Sequence, residues 1–114
     1  MAVIYHNPRC GTSRKVLQAL QDQGHQVEVV EYLKQPLSRN ALAKLIAAAG
    51  LSVREAVRSK EALYTELGLD GASVDDEALS QAMEAHPVLM NRPFVVTDKG
   101  TRLCRPAELV QEIL

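Results

Sequence analysis

The sequence predicts an α/β fold built on a mixed four-stranded sheet, in the order β-α-β, a helical insertion, then β-β-α. Three observations predict it. Two short runs rich in apolar and β-branched residues, 2–6 and 27–32, bracket a stretch whose apolar residues recur at helical spacing. That is the pattern of parallel strands joined by a crossover helix. Near the other end, two further strand-like runs are separated only by Asp98-Lys99-Gly100, a turn short enough to make them antiparallel. Between these two parts the apolar period is helical throughout.

Taken in order, Ala2 to His6 reads as a short buried strand. Ser13 to Gln23 places Val16, Leu17 and Leu20 on one helical face, with Gly24 as its stop. Val27 to Tyr32 is the second strand. Ser38 is the candidate N-cap of a helix that aligns Leu42, Leu45, Ile46 and Ala49 and stops at Gly50. Short helices are expected around 52–59 and 61–67, a loop over Gly68 to Ser73, and a helix over Asp75 to Ala85 with Leu79, Ala82 and Met83 aligned. The pair Asp75-Asp76 reads as capping. Phe94 to Thr97 and Thr101 to Cys104 are the hairpin strands. Pro106 suits the first position of a closing helix that packs Leu109, Val110 and Ile113. No repeat or linker interrupts the 114 residues, so a single domain with a helical insert at about 38–86 is expected. This order is the pattern of a thioredoxin-like sheet interrupted by helices.

Composition narrows the function classes. A net charge of −1, a single Phe and no Trp give no footprint for nucleic acid. No apolar run approaches a membrane span, and the start, MAVIYHNPRC, lacks the basic and apolar regions of a signal peptide. Two cysteines as far apart as Cys10 and Cys104 are no disulfide framework, so a reducing, cytoplasmic compartment is expected. Three histidines and these cysteines show no metal-site spacing, and neither a metal nor a bound organic cofactor is expected. His25 and His86 read as structural or surface residues, and Cys104 as a core residue.

The informative stretch is IYHNPRCGTSRK, residues 4–15. It places Cys10 at the carboxyl end of the first strand and the start of the first helix, where open α/β sheets bind ligands. Helix N-termini and cations lower thiol pKa values, and the amides of residues 11–13 with Arg9 and Arg14 are expected to do so here. The first helical turn carries Arg14 and Lys15, which the helix dipole disfavours unless an anion sits in front of them. Gly11 allows close approach of a ligand to the backbone. In Cys10-Gly11-Thr12-Ser13 a serine stands where a dithiol motif has its second cysteine, which removes an intramotif disulfide. Position 16 is Val, which excludes the phosphatase-type anion loop with its arginine six residues after the cysteine. Arg58, Arg92 and Arg105 are candidate oxyanion ligands, because a guanidinium fork donates paired hydrogen bonds. Spacing alone does not place them together.

The segments YHNPRCGTSRK, LSVREAVR, YTELGL and HPVLMNRPFVVTDKGTRLCRP together resemble the glutaredoxin-linked arsenate reductases, ArsC-like proteins of thioredoxin fold, along essentially the whole chain. The resemblance implies that Cys10 is the nucleophile and that Arg58, Arg92 and Arg105 hold the oxyanion. It implies that His6 and Ser13 favour the thiolate and that Pro93 is the cis-proline of the fold, while Gly11 and Thr12 are substrate-binding candidates from their place at the helix start. The implied reaction reduces arsenate to arsenite, with glutathione as co-substrate and glutaredoxin as partner, and with no nucleic acid or membrane involved. Arg9 stands where smaller residues are common in the family, and the chain stops at Leu114 where members often continue. Two alternatives remain at this point. One is a glutathione-dependent thiol/disulfide reductase, which needs Cys10 but not the arginines. The other is a non-enzymatic regulator of the same fold that binds RNA polymerase, against which Ser13 argues.

Overall fold

The computed structural model describes residues 1–114. Strands β1 (Ala2–His6), β2 (Val27–Glu31), β3 (Phe94–Thr97) and β4 (Gly100–Leu103) form one sheet in the order β2-β1-β3-β4. Helix α1 (Gly11–Asp22) crosses from β1 to β2, and that crossover makes the two strands parallel, in register from Ala2 opposite Val27 to His6 opposite Glu31. β1 pairs antiparallel with β3, and β3 antiparallel with β4. The chain divides into two compact units, residues 1–35 with 92–114 and residues 36–91, taken here in turn.

The first unit holds the sheet. Ala2, Ile4 and His6 alternate inward along β1, while Val3 and Tyr5 are half-buried. Ala2 and Ile4 share one core cluster with Val16 and Leu20 of α1, Val95 of β3, and Cys104, Val110 and Ile113. Helix α1 begins at Gly11, two residues before the predicted start, and Cys10 is its N-cap. Gly24 ends it at φ 80°, a left-handed position suited to glycine. In the hairpin, Thr97 faces Gly100, so Asp98-Lys99 alone form the loop and the last strand opens at Gly100.

The closing segment departs from expectation. Ala107–Ile113 is a 3-10 helix with Pro106 at its N-cap, not an α-helix with proline in its first turn. Three residues per turn eclipse positions i and i+3, so Ala107, Val110 and Ile113 form one row against the core. Val110 and Ile113 are buried accordingly, and Leu109 is left half-buried.

The second unit is helical: α2 (Arg39–Ala48), α3 (Val53–Ala56), α4 (Ala62–Glu66), α5 (Asp76–Ala85) and a 3-10 turn over Pro87–Leu89. It runs a few residues beyond the 38–86 read from periodicity, because the turn and the residues after it belong with the helices. Ser38 caps α2 by accepting the Ala41 N–H, and Asp75 caps α5 by accepting the Ala78 N–H. Leu42, Leu45 and Ile46 of α2 are buried, as are Leu79 and Met83 of α5. The two middle helices are shorter than predicted. After α3, Val57 leaves the helix to bridge Met90, and the Arg58 N–H donates to the Leu89 carbonyl at 2.7 Å. Ser52 and Glu55 cap α3 reciprocally. No helix is long and apolar enough to cross a membrane.

Arg54 clasps the loop after α4. Its guanidinium donates to Tyr64 Oη at 2.9 Å and to the carbonyls of Leu69 at 3.2 Å and Val74 at 3.0 Å. These bonds are largely exposed, so Arg54→Ala is expected to lower unfolding free energy by about 1 kcal/mol. Urea denaturation followed by circular dichroism measures this, and an unchanged midpoint would show that the loop holds itself.

Candidate active site

β1 ends at His6 and the chain turns immediately. The Asn7 carbonyl accepts the Cys10 N–H at 3.0 Å, which closes Asn7-Pro8-Arg9-Cys10 as a hydrogen-bonded turn. The Asn7 side chain accepts the Arg9 N–H at 3.0 Å. Asn-Pro is well suited to this geometry, because asparagine bonds to its own backbone two residues on and proline presets the next φ. Sequence alone gave Asn7 no role, although the Asn-Pro pair at a strand end was the available signal for this turn.

Cys10 then caps α1, with φ −90° and ψ 120° and its carbonyl accepting the Arg14 N–H at 3.0 Å. Ser13, fully buried in the first turn, locks the junction. Its hydroxyl accepts the Asn7 N–H at 3.1 Å and shares a hydrogen bond of 2.6 Å with His6 Nδ1. Burial lowers the His6 pKa; the Glu31 carboxylate opposes this and Arg14 reinforces it, so the net shift is downward and the neutral ring is favoured. The pair ties the end of β1 to the first turn of α1.

The sulfur itself sits under opposing influences. Partial burial raises its pKa. The Ser13 backbone N–H lowers it, as do hydrogen bonds from Arg105 and Arg92 and the Arg92 charge, and the net shift is downward. Cys10 makes no conventional side-chain capping bond, yet the Ser13 amide is close enough to favour the thiolate. Arg105 Nη1 lies 3.5 Å from Sγ and also donates to the Arg92 carbonyl at 3.1 Å.

Strand register explains why these arginines arrive together. Tyr5 of β1, Phe94 of β3 and Leu103 of β4 form one row across the sheet. Two residues further in the same direction on each strand lie Asn7, Arg92 and Arg105. Each arginine precedes a cis-proline, Pro93 and Pro106 respectively, and Arg92 is buried.

The cations expected beside the thiol from sequence do other things. Arg9 is exposed, and Arg14 donates through Nη1 to the Pro8 carbonyl at 2.8 Å. One turn into the helix, its side chain lies back over the preceding loop. Gly11 is exposed, and a Cβ there would meet only Arg14 Nη2 at 3.7 Å, so the fold itself does not require its missing side chain. Gly11 and Thr12 belong to the first turn of α1, whose N–H groups have no partner within a helix. Arg58 belongs to the second unit, where its Nε stands 3.4 Å from Glu61 Oε1. Cys104 is sealed in the core, its thiol 3.8 Å from the Arg102 carbonyl. Burial pushes its pKa up to about 12, with a smaller opposing effect of Arg102 and a smaller reinforcing one of Glu112.

Residues 5–113 match the ArsC family. The chain belongs to that family. It is 57% identical to the arsenate reductase of Rhizobium meliloti over 97% of its own length and 79% of that protein's. It is 50% identical, with the same coverage, to the arsenate reductase of Escherichia coli K12. Among solved structures it is similar to the arsenate reductase of Vibrio cholerae, with a TM-score of 0.94 and 45% identity over 99% of this chain and 97% of the other. An ArsC-related protein of Brucella melitensis, 21% identical with a TM-score of 0.70 over 90% of this chain and 84% of the other, shares the fold. The sheet order and the helical segment between β2 and β3 are thus those of the ArsC branch of thioredoxin-like folds.

The depressed thiol pKa sets a pH dependence. Thiolate is the reactive form, so iodoacetamide alkylation of Cys10 is expected to reach half its maximal rate below the value of about 8.5 for a free thiol. His6→Ala, which leaves the Ser13 hydroxyl without that partner, is expected to raise the midpoint. Mass spectrometry of the native protein should find one alkylated cysteine, and the second only after denaturation. Equal labelling of Cys104 in the native protein would contradict its burial.

Proposed function

We propose that this chain reduces arsenate to arsenite through a covalent adduct on Cys10. The observation that carries the reading is a single acidified thiol at a helix start, with guanidinium groups from Arg92 and Arg105 acting on its sulfur. The thiolate attacks arsenic(V) and releases hydroxide or water, forming a sulfur–arsenic bond. Arg92 and Arg105, with the N–H groups of Gly11 and Thr12, balance the oxyanion charge. Arg58 is assigned a third oxyanion contact on the strength of the family resemblance.

Regeneration follows from counting sulfurs. Reduction needs two electrons, and one thiol cannot supply both and return to its starting state. Ser13 forms no disulfide, and Cys104 is buried with its thiol held protonated. The electrons therefore come from outside: glutathione attacks the adduct, glutaredoxin reduces the mixed species, and arsenite leaves. Both donors are carried over from the family, and the reducing cytoplasm is the compartment that supplies them. Two unpaired cysteines agree with such a compartment.

The test is arsenate-dependent NADPH oxidation with glutathione, glutathione reductase and glutaredoxin supplied. Cys10→Ser is expected to be inactive. Arg92→Ala, Arg105→Ala and Arg58→Ala should each lower turnover by roughly 10²–10³ while the fold persists, the scale of losing one preorganised oxyanion donor. Arg105→Lys should recover part of the activity, since an ammonium keeps the charge but not the paired contacts. Disulfide reduction that requires Cys10 and survives all three alanine substitutions would favour a general thiol reductase instead. Turnover sustained by thioredoxin alone would point to an internal disulfide and defeat the regeneration scheme.

A further inference from the structure

A groove of about 400 Å³ lies on the first unit, lined by Asn7, Pro8, Arg9, Glu31, Leu33 and Lys34. We infer that it binds the peptide portion of a small zwitterionic thiol of the glutathione class, and this rests on the glutathione-dependent reading given above. Its place in the fold is the first reason. One wall is the turn that leads from β1 into Cys10, and the other is the end of β2 with the residues that follow. β1 and β2 are adjacent and parallel, so the groove lies beyond the carboxyl ends of two parallel strands, where such sheets bind ligands.

Its side is the second reason. The guanidinium groups that act on the sulfur come from the β3–β4 hairpin, and the groove flanks β2, on the other side of β1. A thiol joined to arsenic in front of Arg92 and Arg105 thus has a place to lay its peptide without displacing either arginine. Volume agrees, since pockets for small molecules begin at about 300 Å³.

Charge is the third reason. A glutathione-class peptide carries two carboxylates and one ammonium besides its thiol. The groove offers two cations, Arg9 and Lys34, one carboxylate, Glu31, and an apolar surface at Leu33, which is 41% exposed. Lys34 and Glu31 stand 3.8 Å apart at exposed positions, a pairing loose enough to open for a ligand. Glu31 is also the sheet partner of His6, so the groove adjoins the junction that holds Cys10.

Two measurements test this. S-Methylglutathione, which has no free thiol, is titrated into ¹⁵N-labelled Cys10→Ser protein. Shifts are expected at the amides of Asn7, Arg9, residue 10 and residues 31–35, and no shifts, or shifts confined to the hairpin, would overturn the assignment. In the coupled assay, Arg9→Ala and Lys34→Ala are each expected to raise KM for glutathione by about two- to fivefold, the scale of an exposed ion pair, with KM for arsenate unchanged. Lys34→Glu should raise it further. An unchanged glutathione KM in all three variants, with turnover intact, would overturn the groove and leave the reaction scheme standing. Absence of glutathione-dependent turnover in the unmodified protein would sink the scheme and the groove together.

Discussion

The site is arranged around one cost, that of keeping a thiolate partly out of water. Burial is the largest influence on Cys10 and acts against the charged form. It is offset by groups that the fold holds in place before any substrate arrives: a backbone amide at the start of α1 and two guanidinium groups from the hairpin. None of these costs reorganisation at the moment of reaction, which is the condition under which fixed dipoles are most effective. The buried Ser13 hydroxyl is the keystone, because it meets the last residue of β1 and the first residue of the turn at once.

Much of this was legible in the sequence, for reasons that differ between elements. Strand β1, helix α1 and the hairpin were readable because apolar period, Gly24 and a short turn each signal locally. Cys10 was readable because a thiol between a strand and a helix has few neutral explanations. The closing segment was misread because both α and 3-10 helices accept Pro106 near their start, and only the three-residue row Ala107, Val110 and Ile113 separates them. The short helices α3 and α4 were overextended because Val57 and Leu67 fit a helical period, while the bridge from Val57 to Met90 is a contact between distant positions.

The site shows the same division. That Arg92 and Arg105 flank the sulfur depends on strand register, which no local pattern states. Arg14 was given the wrong task for a related reason. A cation four residues after the cysteine looks aimed at the sulfur in a linear reading, whereas in three dimensions it bonds the Pro8 carbonyl and its charge acts on His6. Asn7 was passed over because its work is done through main-chain and turn geometry, which motif reading discounts.

The burial of Cys104 has a cost under oxidative stress. A thiolate that is readily formed and partly exposed is also the sulfur that peroxide oxidises first, to a sulfenic acid. Many enzymes with such a sulfur trap that state by condensing it with a neighbouring cysteine. Here the second thiol is enclosed among Ile4, Val95 and Val110 and stays protonated at neutral pH. Cys104 thus offers a sulfenic acid on Cys10 no internal thiol to condense with: a thiol arriving from solution can trap it, and attack by a second peroxide would carry it to the irreversible sulfinic acid.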